Sequence, residues 1–155
     1  MEVVVIRPPL VYGAGVGANF DTLLRWLSRG LPMLVSSPPA MRSIVYIENL
    51  VDLLSTVLEH PRAANQVFLA GDEVTLPLQE VMSTLARAVN RDPLLLPIPV
   101  FLTEVLNTIW PRYRKLSASL VINIEHTKTT LGWLPPIDVT SALLRTAQHF
   151  KSDLR

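Results

Sequence analysis

The chain has 155 residues, 49% of them apolar, with a net charge of +1 and no cysteine. It is domain-sized and has enough apolar residues for a core. The missing cysteines exclude disulfides and thiolate metal sites and fit a reducing, cytoplasmic setting, and the near-neutral charge gives no reason to expect nucleic acid or an anionic membrane as partner.

Residues 3–6, all β-branched, read as a strand buried on both faces, ended by Pro8 and Pro9. A helix follows over 19–29: Asn19 is a good N-cap, Leu23, Leu24, Trp26 and Leu27 form its apolar face, and Gly30 stands at the C-cap. Residues 32–35 are extended and 36–40 are a loop with two prolines. A second strand is expected over 43–47. Leu50, Val51, Leu54, Val57 and Leu58 then repeat at helical spacing up to Pro61.

Residues 66–70 are the third strand, turned by Gly71-Asp72. Thr75 with Pro77 starts a helix carrying Val81, Met82, Leu85 and Val89, closed by Asn90 and Pro93. The most apolar stretch, "PLLLPIPVFLTEVLNTIW" (93–110), holds three prolines and Glu104, which argues for a buried or partly exposed helix over 99–109 and against a membrane span. A short helix over 125–131 ends at Gly132, and Asp138 with Ser141 caps a last one bearing Leu143, Leu144, Ala147 and Phe150. About three strands alternate with these helices. A sheet that small leaves one face or edge without cover.

Two motifs of dinucleotide chemistry are absent. In "GAGVGANF" the glycines are wrongly spaced for G-x-G-x-x-G. No tyrosine is followed by lysine four positions on; Tyr113 comes nearest, with Lys115 two away. His60, His126 and His149 are scattered, without metal-ligand spacing.

Five segments match one family in order: "RPPLVYGAGVGANF" (7–20), "RSIVYIENLVDLL" (42–54), "NQVFLAGDE" (65–73), "LQEVMSTLARAVNR" (78–91) and "NIEHTKTTLGWLPP" (123–136). Together they resemble the C-terminal half of an extended short-chain dehydrogenase/reductase. The wording is most like the NAD-dependent epimerases and 4-keto reductases that act on UDP-hexoses in bacterial polysaccharide synthesis. The resemblance implies an α/β, Rossmann-like fold truncated to the last strand or strands of the dinucleotide sheet plus a small mixed α/β substrate-binding domain. Residues 1–155 would be that substrate-binding region, and the dinucleotide-binding domain, with its catalytic Tyr-x-x-x-Lys, would be absent.

The resemblance also assigns roles. No catalytic residue falls in this chain. Pro8, Pro9, Tyr12 and Gly13 would pass the nicotinamide at a strand end, where rigid prolines keep the backbone close to a flat ring and Gly13 permits positive φ. Asn19, at a helix N-terminus, would meet the UDP diphosphate as well as cap its helix. Arg42 would hold the same diphosphate from the opposite side. Leu31, Pro32, Met33 and Leu34 would offer backbone to uracil edges. Related galactose epimerases have Asn at the position of Leu10, touching the sugar-linked diphosphate, so that contact is absent or moved. Glu48, Asn49 and Asp52 would cap the helix after the second strand. Asn123 stands where relatives often carry Asp. Gly132-Trp133 is a family marker of structural character. Arg112, Arg114 and Lys115 form the densest basic cluster and read as solvated surface.

By this reading the partner is a nucleotide-diphosphate sugar. NAD or NADP serves the full-length parent and none is expected for this chain, which would be inactive alone. The uncovered strand 3–6, or the neighbouring helix, should drive self-association. The alternatives are a non-catalytic truncated fragment, or an interaction module that pairs with a partner through its exposed apolar face.

Overall fold

The computed structural model describes residues 1–15, 19–109 and 118–153. Among them are eight short strands and six helices. The strands are β1 (Val5–Arg7), β2 (Leu10–Tyr12), β3 (Met33–Ser37), β4 (Met41–Arg42), β5 (Ile44–Tyr46), β6 (Val67–Leu69), β7 (Leu76–Pro77) and β8 (Leu95–Pro99). The helices are α1 (Asn19–Ser28), α2 (Ile47–Glu59), α3 (Leu78–Ala88), α4 (Val100–Ile109), α5 (Glu125–Leu131) and α6 (Val139–Asp153). β1–β6, β2–β5 and β3–β8 are parallel pairs, and β4–β7 is antiparallel. Parallel strands joined through helices are the mark of an α/β fold.

β5 organises the core. All three of its residues are buried, and strand alternation sends them to two sides. Ile44 and Tyr46 join Tyr12, Phe20, Leu24, Leu85, Leu143 and Phe150, so α1, α3 and α6 close one face. Val45 turns the other way to Leu53, Val57, Phe68, Leu131 and Trp133, so α2 and α5 close the other. A strand covered on both sides fixes its register tightly, because a one-residue slip would exchange the two faces.

Five of the six helices begin and end within two or three residues of the sequence reading; α2 opens at Ile47, on the last residue of the expected second strand. Gly132 adopts the left-handed C-cap conformation, and Trp133 is buried behind it with Nε1 donating to Asp52 Oδ2 at 2.7 Å. Ser141 N donates to Asp138 Oδ1 at 3.0 Å, the expected cap of α6. Asn90 takes a left-handed φ just past α3. Thr75, expected at the start of α3, instead bonds the Ser43 hydroxyl at 3.0 Å, and Pro77 is the N-cap.

The strand count is corrected from about three to eight among the described residues. Pro8-Pro9 does not end the strand run but divides it: β1 pairs with β6, and β2 resumes beyond the prolines to pair with β5. β4 and β7, two residues each, are too short to carry a period. β8 contains Pro97 and Pro99, residues that argue against a strand. Met33 N donates to Leu94 O, with Met33 opposite Leu95. In that parallel register Leu96 and Ile98 present N–H to β3, while Pro97 and Pro99 fall where the nitrogen faces the outer edge and needs no hydrogen.

Candidate functional site

The expected site residues are spread over several elements: Tyr12 on the β2–β5 pair, Asn19 at the start of α1, Met33 and Leu34 on β3 and Arg42 on β4. Leu10 lies opposite Ile44 and Tyr12 opposite Tyr46. The ladder joins residues 10–12 to 44–46, so Pro8 and Pro9 precede it and Gly13 follows it.

Arg42 is the best-supported of the set. Its strand β4 is bonded on both edges. On one, Arg42 lies opposite Leu76 of β7. On the other, Leu120 N donates to Met41 O at 2.9 Å and Ser43 N donates to Leu120 O at 2.8 Å. Met41 N also donates to Ser119 Oγ at 3.0 Å, and Ile122 N to Ser43 Oγ at 3.1 Å. The backbone that carries the guanidinium is thus fixed independently of any ligand. Arg42 is half-buried, and burial pulls its pKa down from the ordinary value, so an anion brought beside it would be favoured by weak solvent screening. A cavity of about 210 Å3, lined by Ser36, Ser37, Pro38, Pro39, Ala40, Thr103 and Ser119, opens beside β4.

In the Leu31–Leu34 stretch several backbone groups are already engaged, Leu31 N among them, which donates to Trp26 O at 3.4 Å. Pro32 O accepts from Trp26 Nε1 at 3.1 Å, and Met33 N donates to Leu94 O at 2.9 Å. Alternation turns the N–H and C=O of Leu34 to the edge away from β8. The carbonyl of Ser36 on that edge accepts from Gln79 Nε2 at 3.0 Å. Leu34 is exposed, Leu31 half-buried. Asn19 is the first residue of α1, and its first-turn N–H groups are those an anion would meet. Asp21 in the same turn already answers part of the helix-end charge.

The cofactor set divides. Pro8 is exposed and Pro9 half-buried. Tyr12 is wholly buried, its ring 5.5 Å from Tyr46 and 5.7 Å from Phe20. Its hydroxyl donates to Asp72 Oδ2 at 2.7 Å, so its side chain is a core element and is not presented to a cofactor. Gly13 is buried too, at φ 136°, and a Cβ there would overlap Ile47 Cγ2 and touch Tyr46 Cε2 at 3.0 Å. Its glycine is explained by this close approach. Of the four residues, Pro8 and Pro9 alone offer surface.

Beneath this end lies a buried polar network that sequence reasoning did not find. Asp72, read as a turn residue, is buried and accepts three hydrogen bonds: from Tyr12 Oη, from Tyr46 N at 3.1 Å and from Asn49 Nδ2 at 2.8 Å. Asn49, fully buried, also donates to Ile137 O at 2.8 Å and accepts from Ile137 N at 3.0 Å. The network ties β2, β5, α2 and the segment leading into α6. Burial, only partly opposed by the three donors, raises the Asp72 pKa. Burial and the adjacent Asp72 carboxylate push that of Tyr12 up. The expectation that Glu48, Asn49 and Asp52 cap α2 is corrected. Tyr46 is the N-cap, with no side-chain capping bond. Glu48 accepts from Tyr46 Oη and faces Arg145, and Asp52 holds Trp133. The available signal was Asn49 itself, a polar residue on the apolar face of a helix.

Asn123 Oδ1 accepts from Glu125 N at the start of α5. His126 is exposed, stacked on Phe68, and no cluster of metal-ligating side chains occurs among the described residues. Arg112, Arg114 and Lys115 lie outside the described residues. No described helix is long and apolar enough to cross a membrane.

Parallel strand pairs joined through helices define the class of fold as mixed α/β and Rossmann-like, and the similarities of the chain are consistent with part of an NAD-dependent epimerase. No family model matches the chain. It is 42% identical over 154 residues to the UDP-glucose 4-epimerase of Vibrio cholerae, covering 97% of this chain and 47% of that protein. It is 22% identical over 159 residues to the N-acetyl-alpha-D-glucosaminyl-diphospho-ditrans,octacis-undecaprenol 4-epimerase of Escherichia coli O157:H7, covering 94% and 48%. The Bordetella bronchiseptica enzyme WbmG, solved in complex with NAD and UDP, shares the fold at a TM-score of 0.73 and 16% identity, over 98% of this chain and 44% of that one. The chain spans about half the length of the curated relatives it matches most fully.

Proposed function

We propose that the chain is the substrate-holding part of an NAD(P)-dependent sugar epimerase or 4-keto reductase, with a UDP-hexose as its substrate. Arg42, on a strand held at both edges, carries the reading, supported by the 42% identity to a UDP-glucose 4-epimerase along nearly the whole chain. Arg42 would take the diphosphate bidentately, opposite the first turn of α1, with uridine along the free edge of Leu34. Of the four residues named for the cofactor, Pro8 and Pro9 keep exposed surface and would meet a nicotinamide; the group, when bound, supplies the hydride chemistry at the sugar. The undecaprenol-linked sugar of the Escherichia coli relative also carries a diphosphate. The contact at Arg42 suits either substrate, and what lies beyond the diphosphate separates them.

The sequence has neither the dinucleotide loop nor Tyr-x-x-x-Lys. The 155-residue chain, purified alone, is therefore expected to turn over no UDP-sugar and to bind no NAD(P). Cofactor-dependent conversion by this chain would sink the reading. β1 pairs with β6 on one edge, and Val3, Val5 and Val67 near it are exposed, as are Val51, Leu54 and Leu58 on α2. We propose that a second copy covers this surface when the chain is alone. Light scattering on the same preparation checks it, and a monomer at high concentration counts against it.

A further inference from the structure

Ser43 is the one residue between β4 and β5, next to Arg42, and it is buried. A buried hydroxyl is stable only with partners. Ser43 Oγ accepts from Ile122 N at 3.1 Å and shares a 3.0 Å hydrogen bond with Thr75 Oγ1, in which either hydroxyl can donate. These two partners belong to opposite flanks of β4. Ile122 is on the segment that meets Arg42 in a parallel bridge at Leu120. Thr75 directly precedes β7, whose Leu76 lies opposite Arg42 on the other edge. One hydroxyl therefore joins both flanks of the strand, at the residue next to the guanidinium's own.

The ladders it joins are short. β4 and β7 have two residues each, and the contact with Leu120 is an isolated bridge. Strands of that length are weak on their own. A bidentate grip on a diphosphate depends on direction as well as charge. We propose that Ser43 and Thr75 are positioning residues: their hydroxyl pair ties the 119–122 segment and β7 to β4 and so sets the direction in which Arg42 meets a diphosphate. Both act through Arg42. The proposal rests on the reading of Arg42 as the diphosphate contact and adds the residues that aim it. It also accounts for Thr75, whose hydroxyl is engaged here and leaves the cap of α3 to Pro77.

The test is calorimetry of UDP binding to the full-length protein, arranged as a double-mutant cycle. Ser43→Ala removes the shared hydroxyl, and Thr75→Val removes its partner at the same shape. Each is expected to weaken UDP binding roughly three- to tenfold, the scale of one ordinary hydrogen bond. Thr75→Ser keeps the hydroxyl and should stay close to wild type. In an Arg42→Ala background, Ser43→Ala should cost no further affinity, because a residue that acts through Arg42 then has nothing left to aim. Thr75 is half-buried, so Thr75→Val carries the same cycle if Ser43→Ala does not fold. Wild-type affinity in Ser43→Ala and Thr75→Val, or an equal loss with and without Arg42, overturns the proposal. A loss in Arg42→Ala with none in the hydroxyl variants strikes the proposal alone. Unchanged affinity in Arg42→Ala strikes the sugar reading, and the proposal falls with it.

Discussion

Replacing Asp72 by alanine is expected to destabilise the fold by roughly 3–5 kcal/mol, read as a shift of the urea midpoint. The carboxylate is the common acceptor of Tyr12 Oη, Tyr46 N and Asn49 Nδ2. Each donor is buried and has no water to turn to. An orphaned buried donor costs about 1–3 kcal/mol, and the three share relaxation, so the costs do not simply add. Asn49 also pairs twice with Ile137, so its displacement would loosen the entry to α6. Asp72→Asn keeps one acceptor oxygen and should cost less. The pH dependence separates charge from geometry. The folded-state pKa of Asp72 is raised, first by burial. A raised value means the folded state binds the proton more tightly, so its stabilising contribution is complete below the unfolded value and is lost as pH rises through the folded one. Measured against Asp72→Asn, wild-type stability should therefore fall as pH climbs above the ordinary 3.8. A flat difference, or one that grows with pH, would mean Asp72 ionises in the fold without cost.

The helices were legible because their apolar stripes and punctuation agree. In α5 and α6, Gly132 and the Asp138–Ser141 pair act where a reader of sequence would set them. β1, β3, β5 and β6 overlap the extended stretches read from sequence, but the other strands were not legible: β4 and β7 have two residues each, and a two-residue strand has no alternation to find. β8 was hidden by prolines that fall on the harmless parity. The network around Asp72 was hidden for another reason. Its members, Tyr12, Asn49, Asp72 and Ile137, are far apart in sequence and meet only when β2, β5 and α2 pack. The same packing explains why Tyr12 fits a motif position and yet faces inward: the motif sets the chain's path, and the core takes the ring. Arg42 was visible as a lone cation before a β-branched strand. Its support by Ser119, Leu120 and Ile122 was not, since those residues arrive from nearly eighty positions away.

In the full-length protein, Arg42→Ala is expected to weaken UDP binding by roughly 1.5–3 kcal/mol, the range for losing hydrogen bonds to a charged group, or about 10- to 150-fold in Kd. UDP and UDP-hexose should suffer alike, because the contact is to the diphosphate both contain. Arg42→Lys keeps the charge and loses the planar fork, so it should recover only part of the affinity. The fold should survive either change. β4 is held by backbone bonds to Leu120 and by its ladder with β7, and none of these needs the Arg42 side chain. A urea midpoint close to wild type would confirm that affinity, and not folding, is being read. The guanidinium is half-buried, so added salt should reduce the wild-type affinity less than it would for a fully exposed ion pair. The alanine variant should show a shallower salt dependence still. Calorimetry that finds UDP affinity unchanged in a folded Arg42→Ala protein would remove this residue from the site. The diphosphate would then have to be held by the first turn of α1 alone, where Asp21 already stands.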